Sequence, residues 1–242
     1  MAAWFADMKA RFILNFIEGN RWKYLLDGLG NTLKITLFAV LLGIAIGVII
    51  ASIRSTHDSM IHSMHKGVGR FFLKLLNALA NIYLTVIRGT PVVVQLMIAY
   101  FVIFATSNNK IVVGILAFGF NSGAYVAEII RSGIMSIDRG QSEAGRSLGL
   151  NYLQTQRYIV LPQAFKNILP ALANEFIVLL KETSVAGYIG MQDLTKGGDI
   201  IRSRTYDAFM PLIAVALIYL VMVVFFTWLV GKLERRLRSS DH

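Results

Sequence analysis

The sequence predicts an all-helical (all-α), polytopic membrane protein with five transmembrane helices. Of its 242 residues, 55% are hydrophobic and only 16% are charged, whereas soluble domains carry roughly 25% charged residues. The mean hydropathy is positive, at +0.59. Apolar segments also recur along the chain at lengths close to the ~20 residues that a helix needs to cross a bilayer. We therefore expect lipid to surround much of the protein surface.

Five apolar segments are the candidate spans, and the first and last are the clearest because charged residues are almost absent from them. The segments cover residues 33–53, 82–105, 111–134, 168–185 and 208–231. In the first, small residues recur at four-residue spacing, at Ala39, Gly43, Gly47 and Ala51. This spacing places them on one helix face and predicts close packing against another helix. In the second, Pro91 predicts a kink.

The basic residues predict the orientation. Lys and Arg are concentrated in the connections that follow the first, third and fifth spans. Such connections are expected in the cytoplasm, which places the N-terminus outside and the C-terminus inside. Residues 1–28 mix basic with aromatic residues and are expected to form an interfacial segment. Residues 29–238 are expected to form one transmembrane domain.

Several function classes find no support in the sequence. The net charge is +10, but the basic residues flank apolar runs and do not form the stripe typical of nucleic-acid binding. The chain has no cysteine, and His57, His62 and His65 are not spaced for one helix face, so we expect no metal site. No nucleophile–base arrangement indicates an enzyme. Walker A requires GxxxxGK[ST], and the one Gly-Lys pair, at 231–232, is followed by leucine.

Residues 138–165 form a polar connection between the third and fourth spans. Ser142 is the expected N-cap of a first short helix, and Gly149 suits a left-handed position at its end. Asn151 is expected to cap a second helix, with Gln154 completing a capping box. Pro162 is expected to end that helix near Leu161. The segment therefore predicts two short helices that meet at a glycine corner.

This connection resembles the EAA loop of ABC importer permeases. The family pattern is Glu-Ala-Ala, three residues, Gly, nine residues, Ile, one residue and Leu-Pro. The chain matches it at Glu143, Ala144, Gly149, Ile159, Leu161 and Pro162, and departs from it at Gly145, where the family usually has alanine. The runs IRGTPVVVQL (87–96), NSGAYVAEIIRSGI (121–134), DRGQSEAGRSLGL (138–150) and LPALANEFIVLLKETS (169–184) resemble the polar amino acid branch, which serves histidine, glutamine and arginine. The resemblance covers residues 24–238.

The resemblance implies a type I ABC importer permease, located in the bacterial inner membrane, that takes up polar amino acids. Residues 143–145, 149, 159, 161 and 162 would dock into a separate ATPase. That subunit would carry ATP and Mg, and no cofactor is expected on this chain. The other implied partners are a second permease chain, identical or homologous, and an extracytoplasmic solute-binding protein.

Polar residues inside the spans are candidates for the substrate pathway. They are Arg88, Thr90, Asn121, Tyr125, Glu128, Asn174 and Glu175. Ionisable groups at membrane depth usually face a water-filled cavity or one another, and an amino acid zwitterion needs both charge signs along its route. Glu128 and Arg131 are at ion-pair spacing on a helix. The alternative is that these groups pair only to hold helices together.

Two further functions remain open at this point. One is an ABC permease for another solute, such as a phosphonate, an osmolyte or a metal. The other is an ion-coupled secondary carrier, although the inverted repeat typical of many such carriers is not visible in the sequence. A membrane enzyme is a more distant alternative.

Overall fold

The computed structural model of the chain describes residues 1–61 and 64–238. This part of the chain is helical and contains no β-strand. Its helices are α1 (Ala2–Phe12), α2 (Trp22–Met60), α3 (Val68–Gly89), α4 (Val92–Ile98), α5 (Lys110–Met135), α6 (Arg139–Ser147), α7 (Tyr152–Thr155), α8 (Leu161–Glu182), α9 (Leu194–Thr205) and α10 (Phe209–Arg238). Short 3-10 or π-helical turns occupy Ile13–Ile17, Glu18–Asn20, Ala99–Ile103, Gln156–Val160 and Thr183–Ile189.

Four of the described helices are long and apolar enough to cross a bilayer: α2, α3, α5 and α10. The first and third predicted spans lie within α2 and α5, and the fifth corresponds to α10, which begins one residue later than predicted, at Phe209. The fourth corresponds to α8, which begins earlier than predicted. Amide and charged side chains in α8 lower its hydropathy, so the expected count of five is approximate.

The second predicted span is divided into two helices. The helix α3 ends at Gly89, and Thr90 is extended, with φ −121° and ψ 145°. The helix α4 then begins at Val92. The prediction of a kink at Pro91 is therefore too mild: the proline ring disfavours helical geometry in the residue before it, and Thr90 is extended. The result is a full break inside an apolar segment.

The chain divides into two compact units. Unit 1 comprises Met1–Ala39, Val92–Phe118 and Ile177–Thr227, and unit 2 comprises Val40–Pro91, Gly119–Phe176 and Trp228–His242. The core of unit 1 is formed by Phe16, Leu25, Leu194, Ile201 and Val215. It includes α9, a helix that the sequence analysis did not predict.

The helix α9 is held in unit 1 by close backbone contacts and by a buried cap. A Cβ atom on Gly197 would collide with the backbone carbonyl of Tyr24 in α2. Asp193 caps α9 by accepting hydrogen bonds from the backbone N–H groups of Thr195 and Lys196, at 3.0 and 3.1 Å. Burial of Asp193 raises the pKa of its carboxyl group above the usual range, and these hydrogen bonds oppose the shift. Unit 1 thus keeps a strongly polar group fully buried.

In unit 2, helices α2 and α5 pack closely along the predicted small-residue strip. A Cβ atom on Gly43 would lie 2.9 Å from Ser122 Cβ, and one on Gly47 would lie 2.9 Å from the backbone nitrogen of Ala127. Ala51 is buried as well, with 1% of its surface exposed. The prediction that this strip serves helix packing is confirmed. The packing fixes the distance between the polar residues that α2 and α5 carry.

Candidate functional site

The connection between α5 and α8 begins with α6, which is capped by Asp138. The side chain of Asp138 accepts a hydrogen bond from the backbone N–H of Gly140 at 2.7 Å. The prediction that Ser142 caps this helix is wrong, because an equally good acceptor lies four residues earlier. The connection therefore starts with one more helical turn than expected, and Glu143 lies in the middle of α6.

The glycine corner is formed as predicted. Gly149 has a φ of +85°, which other residues rarely adopt. Its N–H donates to the carbonyl of Arg146 at 3.0 Å, and the N–H of Leu150 donates to the carbonyl of Gly145 at 3.1 Å. This pair of bonds is a Schellman motif, which ends a helix and reverses the chain direction.

The second helix of the connection starts with the predicted capping box. Asn151 Oδ1 accepts from the N–H of Gln154 at 3.0 Å, and Gln154 Oε1 accepts from the N–H of Asn151 at 2.9 Å. Two donors that a helix start leaves unpaired are thereby satisfied. The capping-box prediction is confirmed.

This helix does not stop at Pro162, so that prediction is wrong. The π-helical turn Gln156–Val160 joins α7 to α8 without a cap, and Leu161 keeps helical angles, with φ −62° and ψ −41°. The N–H of Leu161 donates to the carbonyl of Gln156, five residues earlier. This wider turn accommodates a proline, which has no N–H to donate. Residues 152–182 therefore form one continuous helix.

Gly145, where the chain departs from the EAA pattern, lies at the contact between α6 and the π-helical turn. An added Cβ would lie 2.7 Å from Ile159 Cδ1 and 3.0 Å from Thr155 Cγ2. Thr155 itself is buried, with 2% exposed. The glycine thus permits close packing inside the corner, at a cost in helix propensity of about 1 kcal/mol relative to alanine.

The outer surface of the corner is apolar and exposed. Leu148, Leu153 and Tyr158 are 81%, 74% and 65% exposed. Of the residues that match the EAA pattern, the exposed ones are Glu143, Ala144, Gly149, Leu161 and Pro162, while Ile159 is half-buried. Large exposed apolar groups beside charged ones are typical of a protein interaction site.

Glu128 lies at the centre of a charged cluster in unit 2. Its Oε1 atom is 2.7 Å from Arg54 Nη1 and 3.9 Å from Arg88 Nη1. The guanidinium of Arg88 also lies 5.8 Å from the centre of the Tyr125 ring, within range of a cation–π contact. Three of the seven predicted pathway residues are therefore neighbours. Arg88 remains 47% exposed.

The expected pairing of Glu128 with Arg131 does not form. Arg131 Nε instead lies 3.9 Å from Asp58 Oδ2. Helix spacing permits the Glu128–Arg131 pair, but the α2–α5 packing brings Arg54 closer to Glu128. Sequence reasoning missed Arg54 because it reads as one basic residue at the end of a span. Arg54 is three residues from Ala51 and seven residues from Gly47, and this spacing could have placed it on the helix face that packs against α5.

Hydrogen bonds also involve Glu175 and Thr90, two of the other predicted pathway residues. Ser122 Oγ donates to Glu175 Oε1 at 2.8 Å, and Asn121 and Glu175 are 2% and 8% exposed. Thr90 Oγ1 donates to the carbonyl of Val86 at 2.8 Å. Sequence reasoning also missed Ser122, which is fully buried.

Asn174 is exposed and lines a cavity of about 300 Å³ in unit 2. The cavity also receives Lys166, Asn167 and Glu234. It thus presents a cation, an anion and two amides to one space. Among residues 1–61 and 64–238, no group of three or more His, Asp or Glu side chains is placed to hold a metal ion; His62 lies outside these residues.

Comparison with known proteins identifies relatives over nearly the whole chain. Residues 43–239 match the family described as "Binding-protein-dependent transport system inner membrane component". The chain is 37% identical to the arginine transport system permease protein ArtQ of Bacillus subtilis, over 90% of this chain and 94% of that protein. It is 35% identical to the glutamine transport system permease protein GlnP of Escherichia coli, over 85% and 90%.

A solved structure supports the same relationship. The crystal structure of an amino acid ABC transporter with histidines superposes with a TM-score of 0.78 at 43% identity, covering 88% of this chain and 94% of that one. The fold is that of type I ABC importer permeases, as the sequence predicts. The chain, a multi-pass membrane transport subunit and not an enzyme, therefore belongs to the family of binding-protein-dependent transport system inner membrane components.

Proposed function

We propose that this chain forms the translocation path of an ATP-driven importer for polar amino acids. The observation that carries the proposal is the match to relatives named for arginine and glutamine transport, at 37% and 35% identity over most of both chains. The opposite charges of Glu128 and its neighbours Arg54 and Arg88 agree with a zwitterionic substrate. Phosphonate, osmolyte or metal transport would leave these relatives unexplained.

The N-terminus would lie outside and the C-terminus in the cytoplasm, because basic connections are retained on the inner side. Residues 1–28 would form an interfacial segment and 29–238 the transmembrane domain, although α2 already begins at Trp22. In this orientation the glycine corner lies in the cytoplasm. Its exposed apolar groups are then available to another protein and not to lipid.

The corner would dock into a separate ATPase subunit, which binds ATP and Mg. Glu143, Ala144, Gly145, Gly149, Ile159, Leu161 and Pro162 would form or shape the docking surface. The support is physical: the Schellman motif and the capping box give the corner a defined shape, while Leu148 and Leu153 have little contact with the rest of the chain. A second permease chain, identical or homologous, would enclose the pathway together with this one.

The substrate pathway would include Arg88, Thr90, Asn121, Tyr125, Glu128, Asn174 and Glu175. An external solute-binding protein would deliver the amino acid. The pathway would open outward while ATP holds the ATPase subunits together and inward after hydrolysis. The half-exposed Arg88 and the exposed Asn174 are the members of this set best placed to meet a solute.

The test is uptake of labelled arginine, glutamine and histidine into proteoliposomes that contain the purified complex. We expect uptake to require ATP, the ATPase and the solute-binding protein. Uptake driven by an ion gradient without the ATPase would instead support a secondary carrier and overturn the proposal.

The coupling role is tested by substitution of Gly149. Gly149→Val introduces a β-branched residue at a φ of +85° and should distort the corner, so that hydrolysis continues without uptake or the ATPase no longer co-purifies. Gly149→Asn is the matched control, because asparagine tolerates left-handed angles better than other residues. Normal uptake by Gly149→Val would contradict the coupling role.

A further inference from the structure

A different cavity of unit 2, of about 260 Å³, lies beside the glycine corner formed by α6 and α7. The ends of α2 and α5 and the start of α6 contribute to its wall. The polar groups used below are Ser55, Asp58 and Ser59 of α2, Arg131 of α5, and Arg139 and Ser142 of α6. None of them belongs to the predicted coupling or pathway residues.

Arg131 is the most informative of these groups. Its side chain is 25% exposed, and its Nε atom is shielded from solvent without a hydrogen-bond partner in the described part of the chain. Its Nη1 atom donates to the sulfur of Met135 at 2.8 Å, and a thioether is a weak acceptor. The Asp58 carboxylate lies 3.9 Å from this Nε atom, too far for a hydrogen bond. A charged donor without a hydrogen bond is costly, which indicates that a further anionic acceptor belongs here.

The charges around the cavity point the same way. The lining contains two arginines, Arg131 and Arg139, and one carboxylate, Asp58, which lies 3.9 Å from Arg131 Nε. The lining thus has an excess of one positive charge. Arg139 lies in the first turn of α6, next to the capping residue Asp138.

The hydroxyl groups define the kind of anion. Ser55, Ser59 and Ser142 each add a donor, and two guanidinium groups supply planar forks that suit phosphate oxygens. A carboxylate offers two oxygens, whereas phosphate can accept from several of these donors at once. Basic pockets between helices at the cytoplasmic side of a membrane commonly hold lipid head groups.

We propose that this cavity binds a phosphate group and that the bound phosphate links the glycine corner to the transmembrane helices. Arg139 and Ser142 lie on α6, whereas Ser55 and Arg131 lie on α2 and α5, so one anion bridges the two sets. The phosphate comes either from an anionic lipid head group or from free inorganic phosphate. Only the lipid source depends on the cytoplasmic orientation proposed above.

The experiment uses the purified complex of permease and ATPase in nanodiscs. Thermal stability is compared in phosphatidylcholine alone, in phosphatidylcholine with phosphatidylglycerol, and in phosphatidylcholine with added inorganic phosphate at matched ionic strength. We expect one of the two phosphate sources to raise the melting temperature. Retention of phosphatidylglycerol, counted by native mass spectrometry, identifies the lipid source.

The decisive variant is Arg139→Gln, since Arg139 is exposed and its loss should not disturb folding. We expect it to weaken the apparent affinity for phosphate or phosphatidylglycerol about tenfold, as for loss of a charged hydrogen bond. Arg131→Lys keeps the charge at the more buried position and should weaken it less. Lys74→Gln removes an exposed charge outside the cavity and is the matched control.

A response to either phosphate source whose apparent affinity Arg139→Gln weakens and Lys74→Gln preserves supports the site. No stabilisation by either source, or equal stabilisation of the wild type and Arg139→Gln, overturns it. These readouts require no transport. A failed uptake assay would therefore count against the proposed function and leave this result standing.

Discussion

The α2–α5 contact allows a sharp test, because α2 carries two glycines in opposite surroundings. At Gly47 an added Cβ would lie 2.7 Å from Val126 Cβ and 2.9 Å from the backbone nitrogen of Ala127. At Gly30 nothing lies within 4 Å. Gly47→Ala and Gly30→Ala are thus the same chemical change within one helix.

The two substitutions are expected to have different effects on stability: Gly30→Ala should stabilise the protein, whereas Gly47→Ala should not. Alanine is favoured over glycine inside a helix by about 1 kcal/mol, so Gly30→Ala should stabilise the protein by about that amount. At Gly47 the same gain is opposed by overpacking, which typically costs about 1–3 kcal/mol. Neither Val126 Cβ nor a backbone nitrogen can rotate away, so the helices must separate. The two variants should therefore differ by about 1–3 kcal/mol.

The measurement is thermal unfolding in detergent, where this difference corresponds to roughly 2–12 °C for a chain of this size. Separation of the helices should also lengthen the 2.7 Å contact between Arg54 and Glu128 and lower uptake by Gly47→Ala. Equal melting temperatures for the two variants would refute the assignment of the strip to close helix packing.

Three other predictions follow from the described contacts. Asn151→Ala should destabilise the glycine corner by about 0.5–2 kcal/mol, which should appear as faster proteolysis at this corner. Hydrogen bonds from Lys196 and Arg202 lower the pKa of Asp199 in the folded protein. The ionised carboxylate therefore stabilises the fold at pH values above the pKa of the unfolded chain, about 4, and this contribution is lost as the pH falls below that value. The free energy of unfolding of the wild type should accordingly exceed that of Asp199→Asn at neutral pH, and the difference should vanish on acidification. The chain contains no cysteine, so spin labels can be attached at cysteines that replace Gln154 and Ala171. The distance between the two labels should be about 26 Å and should not change on addition of ATP, because both positions lie on one continuous helix.

The fold was predictable where one local signal decides the outcome. The apolar runs predict α2, α5 and α10, and Gly149 and Asn151 predict the corner with its cap. Pro91 and Pro162 show the limit. The same residue type follows an extended residue and separates two helices at Pro91, whereas Pro162 follows a π-helical turn and Pro170 lies inside α8, and both leave the helix continuous. No residue pattern in the sequence predicts the π-helical turn before Pro162.

The sequence predicts which polar residues belong to the candidate site, but it does not predict which residues they contact. Asn121, Glu128 and Glu175 stand out because charged and amide groups are rare inside spans. Their contacts depend on how the helices pack, and so Glu128 meets Arg54 and not Arg131. Glu175 likewise accepts from Ser122, a small residue that carries no charge and attracts no notice in a hydropathy profile.

The continuity of α7 and α8 has a mechanical consequence for the proposed importer. A flexible joint at Pro162 would let the ATPase move the corner without moving the spans. With a continuous helix from 152 to 182, displacement at Leu153 must also displace Asn174 and Glu175, which lie about 32 and 33 Å along the same helix. On this route the regular α-helical hydrogen bonding is interrupted at the π-helical turn and again at Pro170, which lies inside α8 and has no N–H to donate. Coupling between hydrolysis and the pathway should therefore depend more on the rigidity of residues 156–170 than on any single contact at the docking surface.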